Sequence, residues 1–384
     1  MSKWREVPAD EIAENIAIGP FGSRMKADCY VDRGVPIIRG NNITDTKALA
    51  GEFVFITEEM AKGMSACNAY DGDLVFPHCG LIGEVGIVTG GKDAHFFISS
   101  SLMKLTPKRE IADPLFYFYF YRSPAGRHEL LKNASQVGTP GIATPLTSLR
   151  ATRVPLPPLP EQRAIAAVLG ALDDKIELNR RMNDTLEALA QSLFKSWFVD
   201  ATQSALPKGW RESTIGELCE FAYGKALKAE TRRAGSIPVY GSNGRVGWHH
   251  EALVKGPGIV VGRKGNPGIV IWSPTDFFPI DTTFYVVPKG ECRSLYFLFH
   301  ALRAHDLASL GADSAVPGLN RNMAYVSKEV LPPAYVQEAF DKQVRPLFER
   351  VHHNNEESRT LAALRDALLP KLLSGELSVK EAYA

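Results

Sequence analysis

Short polar stretches built on glycine turns hold the residues of this chain best suited to touching another molecule. "RGNN", with Arg39, Asn41 and Asn42, and "SNGR", with Asn243 and Arg245, occupy matching places in the two halves. "GRKGN" sets Arg263, Lys264 and Asn266 on a glycine loop whose backbone could approach phosphates closely, and "LNRN" adds Asn320, Arg321 and Asn322. "KNASQVGT" contributes Lys132, Gln136 and Thr139. Guanidinium groups match the major-groove edge of guanine and carboxamides that of adenine, so loops of this composition suit DNA. Taken singly, each is also ordinary turn chemistry, Asn-Gly above all. Their repetition in both halves, with different residues at matching places, favours contact loops that read two different short sequences.

Catalytic constellations are scarce. The sequence has no G-x-x-x-x-G-K-[ST] loop, no G-x-G-x-x-G after a strand pattern, no H-E-x-x-H, no CxxC pair and no G-x-S-x-G elbow. Neither "LPPL" nor "LPPA" is the Asn/Asp-Pro-Pro-aromatic signature of an amino-methyltransferase. The doublets His249-His250 and His352-His353 lack further ligands at metal spacing. Asp276 and Asp281 with Lys289 form a loose carboxylate group, and the matching stretch of the first half lacks the second carboxylate. We therefore expect no active site, cofactor or metal in this chain.

The elements that must position these loops come in duplicate. "WRE" at Trp4 to Glu6 returns at Trp210 to Glu212, behind an "LPKG" turn. "GVPIIRGNNI" is answered by "GSIPVYGSNG", "PLFYFYFYR" by "SLYFLFHALR", and "TPGIATPL" by "VPGLNRNM", in the same order. Such long spacing indicates two homologous domains rather than a solenoid. Each copy reads as short β-branched and aromatic runs broken by Gly, Pro, Asn and Asp, with one helix-like aromatic segment, hence mixed α/β.

Each copy ends on a proline-rich stretch, "PLPPLPEQ" or "LPPAYVQE", that launches a long helix. Proline disfavours helix in the residue before it and presets the first helical turn, and Glu161 favours the positive end of the helix dipole. Ile165, Leu172, Asn179, Leu186 and Leu193 recur every seven residues, with Val168, Met182 and Leu189 three after their predecessors. Phe340, Leu347, Asn354, Leu361 and Leu368 repeat the series 175 positions on (179 to 354). This is a heptad seam with an asparagine at the same internal position in both helices, a device that fixes register at some cost in stability. At ~1.5 Å per residue the first helix would be a rod of roughly 57 Å, and Pro346 is expected to kink or interrupt the second. The expected fold is α/β (α+β): two mixed-sheet domains, 1–157 and 210–332, separated by two long antiparallel coiled-coil helices, 158–200 and 333–384, with a linker at 201–209.

Composition sets the class. At 384 residues, 45% hydrophobic and 23% charged, the chain fits a globular protein of two or three domains. No apolar run approaches the ~20 residues of a membrane helix. No secretory leader is apparent, and five scattered cysteines suit a reducing cytoplasm. A net charge of +1 leaves any basic surface local.

The block "PLPPLPEQRAIAAVLGALDDKIELNRRMNDTLEALAQSLFKSWF", the terminal "LLPKLLSGEL", and "GPFGSRMK" with "GVPIIRGNNI" together resemble the specificity (S) subunits of type I restriction-modification systems, over essentially the whole length. The resemblance implies two target recognition domains, each reading half of a split double-stranded DNA sequence, and helices that set the gap. It implies docking of two methylation subunits, which use S-adenosylmethionine, and of two restriction subunits in the full complex, which use ATP and Mg2+. It places Glu161, Gln162 and Gln337 among the docking residues, although the second copy has Val336 where the first has Glu161. A competing expectation is a non-enzymatic coiled-coil scaffold whose two globular domains bind proteins. A methyltransferase with a degenerate centre is a third, disfavoured by the missing glycine loop.

Overall fold

The computed structural model describes residues 4–20, 25, 29–135, 138–310 and 318–379. The chain divides into two compact units, Met1–Leu178 with Glu357–Ala384, and Asn179–Glu356. Each unit holds one copy of the repeat and part of each long helix.

In the first unit, strands Ala13–Ile18, Leu102–Pro107, Leu74–Pro77 and Gly86–Ile87 form an antiparallel sheet in that spatial order. A second sheet, Val54–Ile56, Val35–Ile38, His95–Ile98 and Asn68–Tyr70, is mixed, because Val35–Ile38 runs parallel to His95–Ile98. The second unit repeats the first sheet and, with one strand fewer, the second. Cys219–Tyr223, Thr283–Pro288, Gly258–Gly262 and Val270–Ser273 form the antiparallel sheet. Gly244–His249, Ile237–Gly241 and Phe278–Pro279 form the mixed one, with the last two parallel. The repeated "WRE" now has a role: Glu6–Pro8 pairs antiparallel with Arg153–Pro155, and Arg211–Thr214 with Lys328–Leu331. First and last strands of each copy thus close on each other just before the proline-rich stretch.

The aromatic segments are helices Pro114–Arg122 and Leu295–Ala304, capped by Asp113 and Ser294, whose side chains accept the amides of Phe116 and Phe297. A helix apolar on every side must be enclosed, and every residue from Phe116 to Tyr121 is buried. None of the five cysteines forms a disulfide among the described residues; burial pushes the thiols of Cys219 and Cys292 up to about 12.

The long helices are Leu159–Phe194, continued by a π-helical turn Lys195–Val199, and Ala334–Ser374. They run antiparallel: in the first unit Asp173 meets Arg365 and Lys175 meets Glu357. The expected interruption at Pro346 does not occur, since the second helix is continuous through it. Interior proline costs ~3 kcal/mol, and here the helix is anchored on both sides, by fully buried Phe340 and Val344 and by partly buried Leu347 and Phe348.

The seam also differs from the expected spacing. Ile165, Asn179, Phe340 and Asn354 are buried, and Leu172, Leu186, Leu193, Leu347, Leu361 and Leu368 are half-buried. Their companions lie four residues on, at Leu169, Asn183, Ala190, Val344, Arg365 and Leu372, rather than three. Leu189, assigned to the seam by the three-residue step, is 46% exposed. The series read as the first position of the heptad is therefore the second, because an interval of seven divides as three and four in either order. In the second unit Asn354 Nδ2 donates to Asn183 Oδ1 at 2.9 Å, Asn183 Nδ2 to Asn355 Oδ1 at 2.9 Å, and Asn179 Nδ2 to the Asn354 carbonyl at 3.4 Å.

Candidate nucleic-acid interface

In the second unit the polar loops converge. The Gly262–Asn266 turn, with Gly265 at a φ of 84° that favours glycine, is held by neighbouring loops. Ser242 Oγ donates to the carbonyls of Lys264 and Thr282, at 2.5 and 2.8 Å. Leu319 N donates to the Arg263 carbonyl at 2.9 Å, and Asn266 Nδ2 donates to Asn243 Oδ1. Asn243, Arg263, Lys264 and Asn266 therefore share one surface.

Beside it lies an aromatic that no spacing rule singled out. Tyr223, 51% exposed, ends its strand with the Arg263 guanidinium 4.9 Å and the Arg321 guanidinium 5.1 Å from its ring centre. Arg321 also stands 5.7 Å from the Tyr325 ring, and Arg245 lies 4.5 Å from that of Trp248. Arg263 and Arg321 are half-buried and each spends one donor on the fold, on the carbonyls of Asp281 at 2.9 Å and Phe221 at 3.4 Å, while stacking holds their remaining donors in place for phosphate or base edges. Asn322 is exposed, whereas Asn320 caps the short helix Arg321–Tyr325, accepting the amides of Asn322 and Met323. That cap occupies its carboxamide oxygen, so its first role is to set Arg321, not to read a base.

The matching place in the first unit has different chemistry. The loop after strand Leu74–Pro77 carries His78 and Cys79, and Cys79 bridges Gly141 as Lys264 bridges Gly318. Lys132, paired with Glu129, precedes the hairpin Ala134–Ser135 with Gly141–Ile142, and Thr139 is exposed on its far side. Gln136 lies outside the described residues. Asn41 is exposed, but Asn42 is fully buried. Asn42 Oδ1 accepts the Arg39 amide at 2.9 Å, and its Nδ2 donates to the carbonyls of Ala50 and Glu52 at 3.0 and 3.1 Å. With every polar atom bonded inward, Asn42 is a brace and not a DNA contact. Arg39 is half-buried and donates to the Glu52 carbonyl at 3.0 Å, so it too ties down this loop.

Two of the expected docking residues also turn inward. Gln162 is fully buried: its Oε1 accepts the Asp113 amide, and its Nε2 donates to the carbonyls of Ile111 and Pro157, each at 2.8 Å. Gln337 does the same in the second unit, accepting the amides of Arg293 and Ser294 and donating to the carbonyls of Glu291 and Pro332. Each clamps the start of a long helix to the cap of its aromatic helix, leaving no group for a partner. Glu161 is half-buried and accepts from Trp4 Nε1 at 3.3 Å.

The histidine doublet at 249 acquires a third neighbour, because ligand atoms of His249, His250 and Glu251 lie within 4.8 Å of one another. His249 Nδ1, however, accepts the Arg233 amide at 3.1 Å. Among the described residues no helix is long and apolar enough to cross a membrane.

Comparison with known proteins agrees with the duplication. Residues 1–188 and 207–323 match the family described as the type I restriction modification DNA specificity domain. The chain is 24% identical to the type I restriction enzyme HindI specificity subunit of Haemophilus influenzae, over 98% of this chain and 100% of that one. It is 24% identical to the MjaIX specificity subunit of Methanocaldococcus jannaschii, over 85% of this chain and 82% of the relative. Its fold is similar to the crystal structure of the type I restriction-modification S subunit from M. genitalium, with a TM-score of 0.65 at 19% identity, over 97% of this chain and 96% of that one. Matched along both halves of its length, the chain belongs to the family of type I restriction-modification specificity subunits, the non-catalytic component that recognises the DNA target within the complex.

Proposed function

We propose that each unit reads one half of a split double-stranded DNA target, and that the two long helices set the unspecified gap between the halves. The observation that carries this is the duplication itself: one topology built twice, with Arg263 and Lys264 in one copy where the other has His78 and Cys79. Equivalent placement with different donors is what two separate half-sites require. Phosphate contacts supply salt-dependent affinity without sequence preference, and base-edge contacts supply discrimination, ~1 to 3 kcal/mol per wrong base.

The outer faces of the long helices are the docking surface for two methylation subunits, which bring S-adenosylmethionine and modify adenine. Two restriction subunits complete the assembly and bring ATP and Mg2+. This chain needs no cofactor of its own. With a net charge of +1, it binds DNA modestly alone and more tightly once the methylation subunits add surface.

The test is genome-wide mapping of methylated adenine in a host carrying this chain with its methylation subunit, against the same host without this chain. The expected result is a new motif of two short defined halves around a fixed gap. No new motif, with both proteins present and associated, would refute the reading in favour of a protein-binding scaffold. Replacing residues 208–332 with those of a relative should change one half of the motif alone.

A further inference from the structure

One segment that the first copy has and the second lacks has a receptor in both. In the first unit, strands Val35–Ile38 and Val54–Ile56 are joined by the long segment from Arg39 to Phe53. Its middle lies against the aromatic helix Pro114–Arg122: Arg122 donates to the carbonyls of Thr44, at 3.2 Å, and Asp45, and Arg365 donates to the same Asp45 carbonyl at 3.3 Å. Lys47 reaches Asp174 at 2.6 Å. In the second unit the equivalent strands, Ile237–Gly241 and Gly244–His249, are joined by Ser242 and Asn243 alone.

The receptor survives where the segment is missing. Counting from the helix caps Asp113 and Ser294, Arg303 stands where Arg122 stands. Each guanidinium lies 5.3 Å from the ring centre four residues before it, Phe118 or Phe299. Glu349 takes the place of Asp174 on the other long helix, and Ala190 that of Arg365. Among the described residues the Arg303 guanidinium has no hydrogen-bond partner, and it is exposed. A cavity of about 370 Å³ opens here, lined among others by Ala190, Trp272, Phe299, His300, Arg303 and Phe348. His300 is 4% exposed, and its Nε2 is buried without a hydrogen-bond partner.

We propose that this groove receives an extended segment of the methylation subunit, which presents backbone carbonyls to Arg303, a basic side chain to Glu349 and a side chain to the cavity beside His300. The chemistry is that of the segment the first unit supplies for itself. This inference rests on the proposal that the chain docks methylation subunits, and it names where and how one of them is held.

The test uses the full chain in complex with its methylation subunit. A photo-crosslinking residue placed at Glu187, an exposed position on the rim of the cavity, should yield one adduct, mapped by mass spectrometry to a single segment of the methylation subunit. Arg303→Ala should weaken complex formation about tenfold, since the hydrogen bonds of a charged group to carbonyls are lost, and Glu349→Gln should weaken it less. Both positions are exposed, and unchanged hydrogen exchange of the second unit will show that the variants fold. An adduct to a second copy of this chain or to DNA, or Arg303→Ala binding as the parent does, overturns the inference. If the parent complex forms and directs methylation, such a result leaves the proposed function standing. If the parent chain forms no complex, the docking proposal itself fails, and the inference fails with it.

Discussion

Gln162 offers a test of whether the glutamine after the proline-rich stretch is a structural clamp or a docking group. Its side chain makes three hydrogen bonds of 2.8 Å inside a site with 0% exposure. A net value of ~1 kcal/mol per bond puts the loss in Gln162→Ala at about 3 kcal/mol, and the backbone groups left buried without partners raise it, at ~1 to 3 kcal/mol each. Water entering the vacated space returns part of that, so about 3 to 4 kcal/mol is expected. Gln162→Glu should also destabilise, because the carboxylate cannot donate to the Ile111 and Pro157 carbonyls. In a chain of two units a single global midpoint is ambiguous, so the assay is hydrogen exchange resolved by segment. Amides of the helix Pro114–Arg122 and of the first turns after Leu159 should lose protection by more than a hundredfold, at ~1.4 kcal/mol per decade. The second unit should be unaffected, and Gln337→Ala should give the converse pattern. Unchanged protection together with loss of the complex with the methylation subunit would refute the clamp and restore the docking role.

Three further outcomes are expected. Burial, followed by the nearby charge of Arg303, lowers the pKa of His300 to about 4 from its ordinary 6.5. The unfolded chain binds the proton first on acidification, so this stability is present above pH ~6.5 and lost as pH falls towards 4, by at most about 3 kcal/mol. Melting of the second unit at pH 7, 5.5 and 4.5 should show the loss, and His300→Leu should remove that slope; equal acid sensitivity in the variant would count against it. Arg365→Met strands the buried carboxylate of Asp173, at a cost of about 3 to 5 kcal/mol to the first unit, and Asp173→Asn in the same chain should recover part of it in urea unfolding. Arg263→Ala should weaken binding to cognate DNA by ~1 to 3 kcal/mol and relax one half of the methylated motif. Relaxation in both halves, measured by methylome mapping, would contradict the assignment of one half-site to each unit.

The duplication was legible because topology demanded it. Each "WRE" must reach the strand before its own proline stretch, and the paired asparagines must recur at the same step of the seam. What escaped was the direction in which polar side chains point. Asn41 and Asn42 are adjacent and identical in type, yet one is exposed and the other braces three backbone groups. Turn chemistry permits both, and only the path of the following loop decides. Gln162 at a helix start reads as surface until the cap of another helix is placed over it. Leu189 failed for a different reason: seven residues divide as three and four in either order, and the exposed companion is identified only once the partner helix is present. Tyr223 carried no signal, because its neighbours Arg263 and Arg321 are distant in sequence.

The duplication also creates a hazard that the fold meets differently in its two halves. Two helices with the same heptad series can pair in several registers, and apolar contacts discriminate weakly among them. In the first unit the discrimination comes from charge. Arg365 Nη1 donates to Asp173 Oδ1 at 2.7 Å, and Tyr119 donates its hydroxyl to the other carboxylate oxygen at 2.7 Å. Burial and then the Asp173 charge push the Tyr119 phenol up, so it stays a donor. In the second unit the equivalents are Ala190, Phe348 and His300, an apolar and aromatic set with the His300 ring 5.4 Å from Phe194 and 5.8 Å from Phe348. There the asparagines Asn179, Asn183, Asn354 and Asn355 do the discriminating, through bonds that only one register completes. A shift of one heptad would set Asp173 opposite Ser358 or Leu372, burying its charge without a cation to balance it, and would unpair the carboxamides. Neither device adds much net stability, because desolvation offsets most of what the bonds contribute. Each makes the wrong register costly, and under the proposal that the helices measure a gap on DNA, a single register matters more than extra stability.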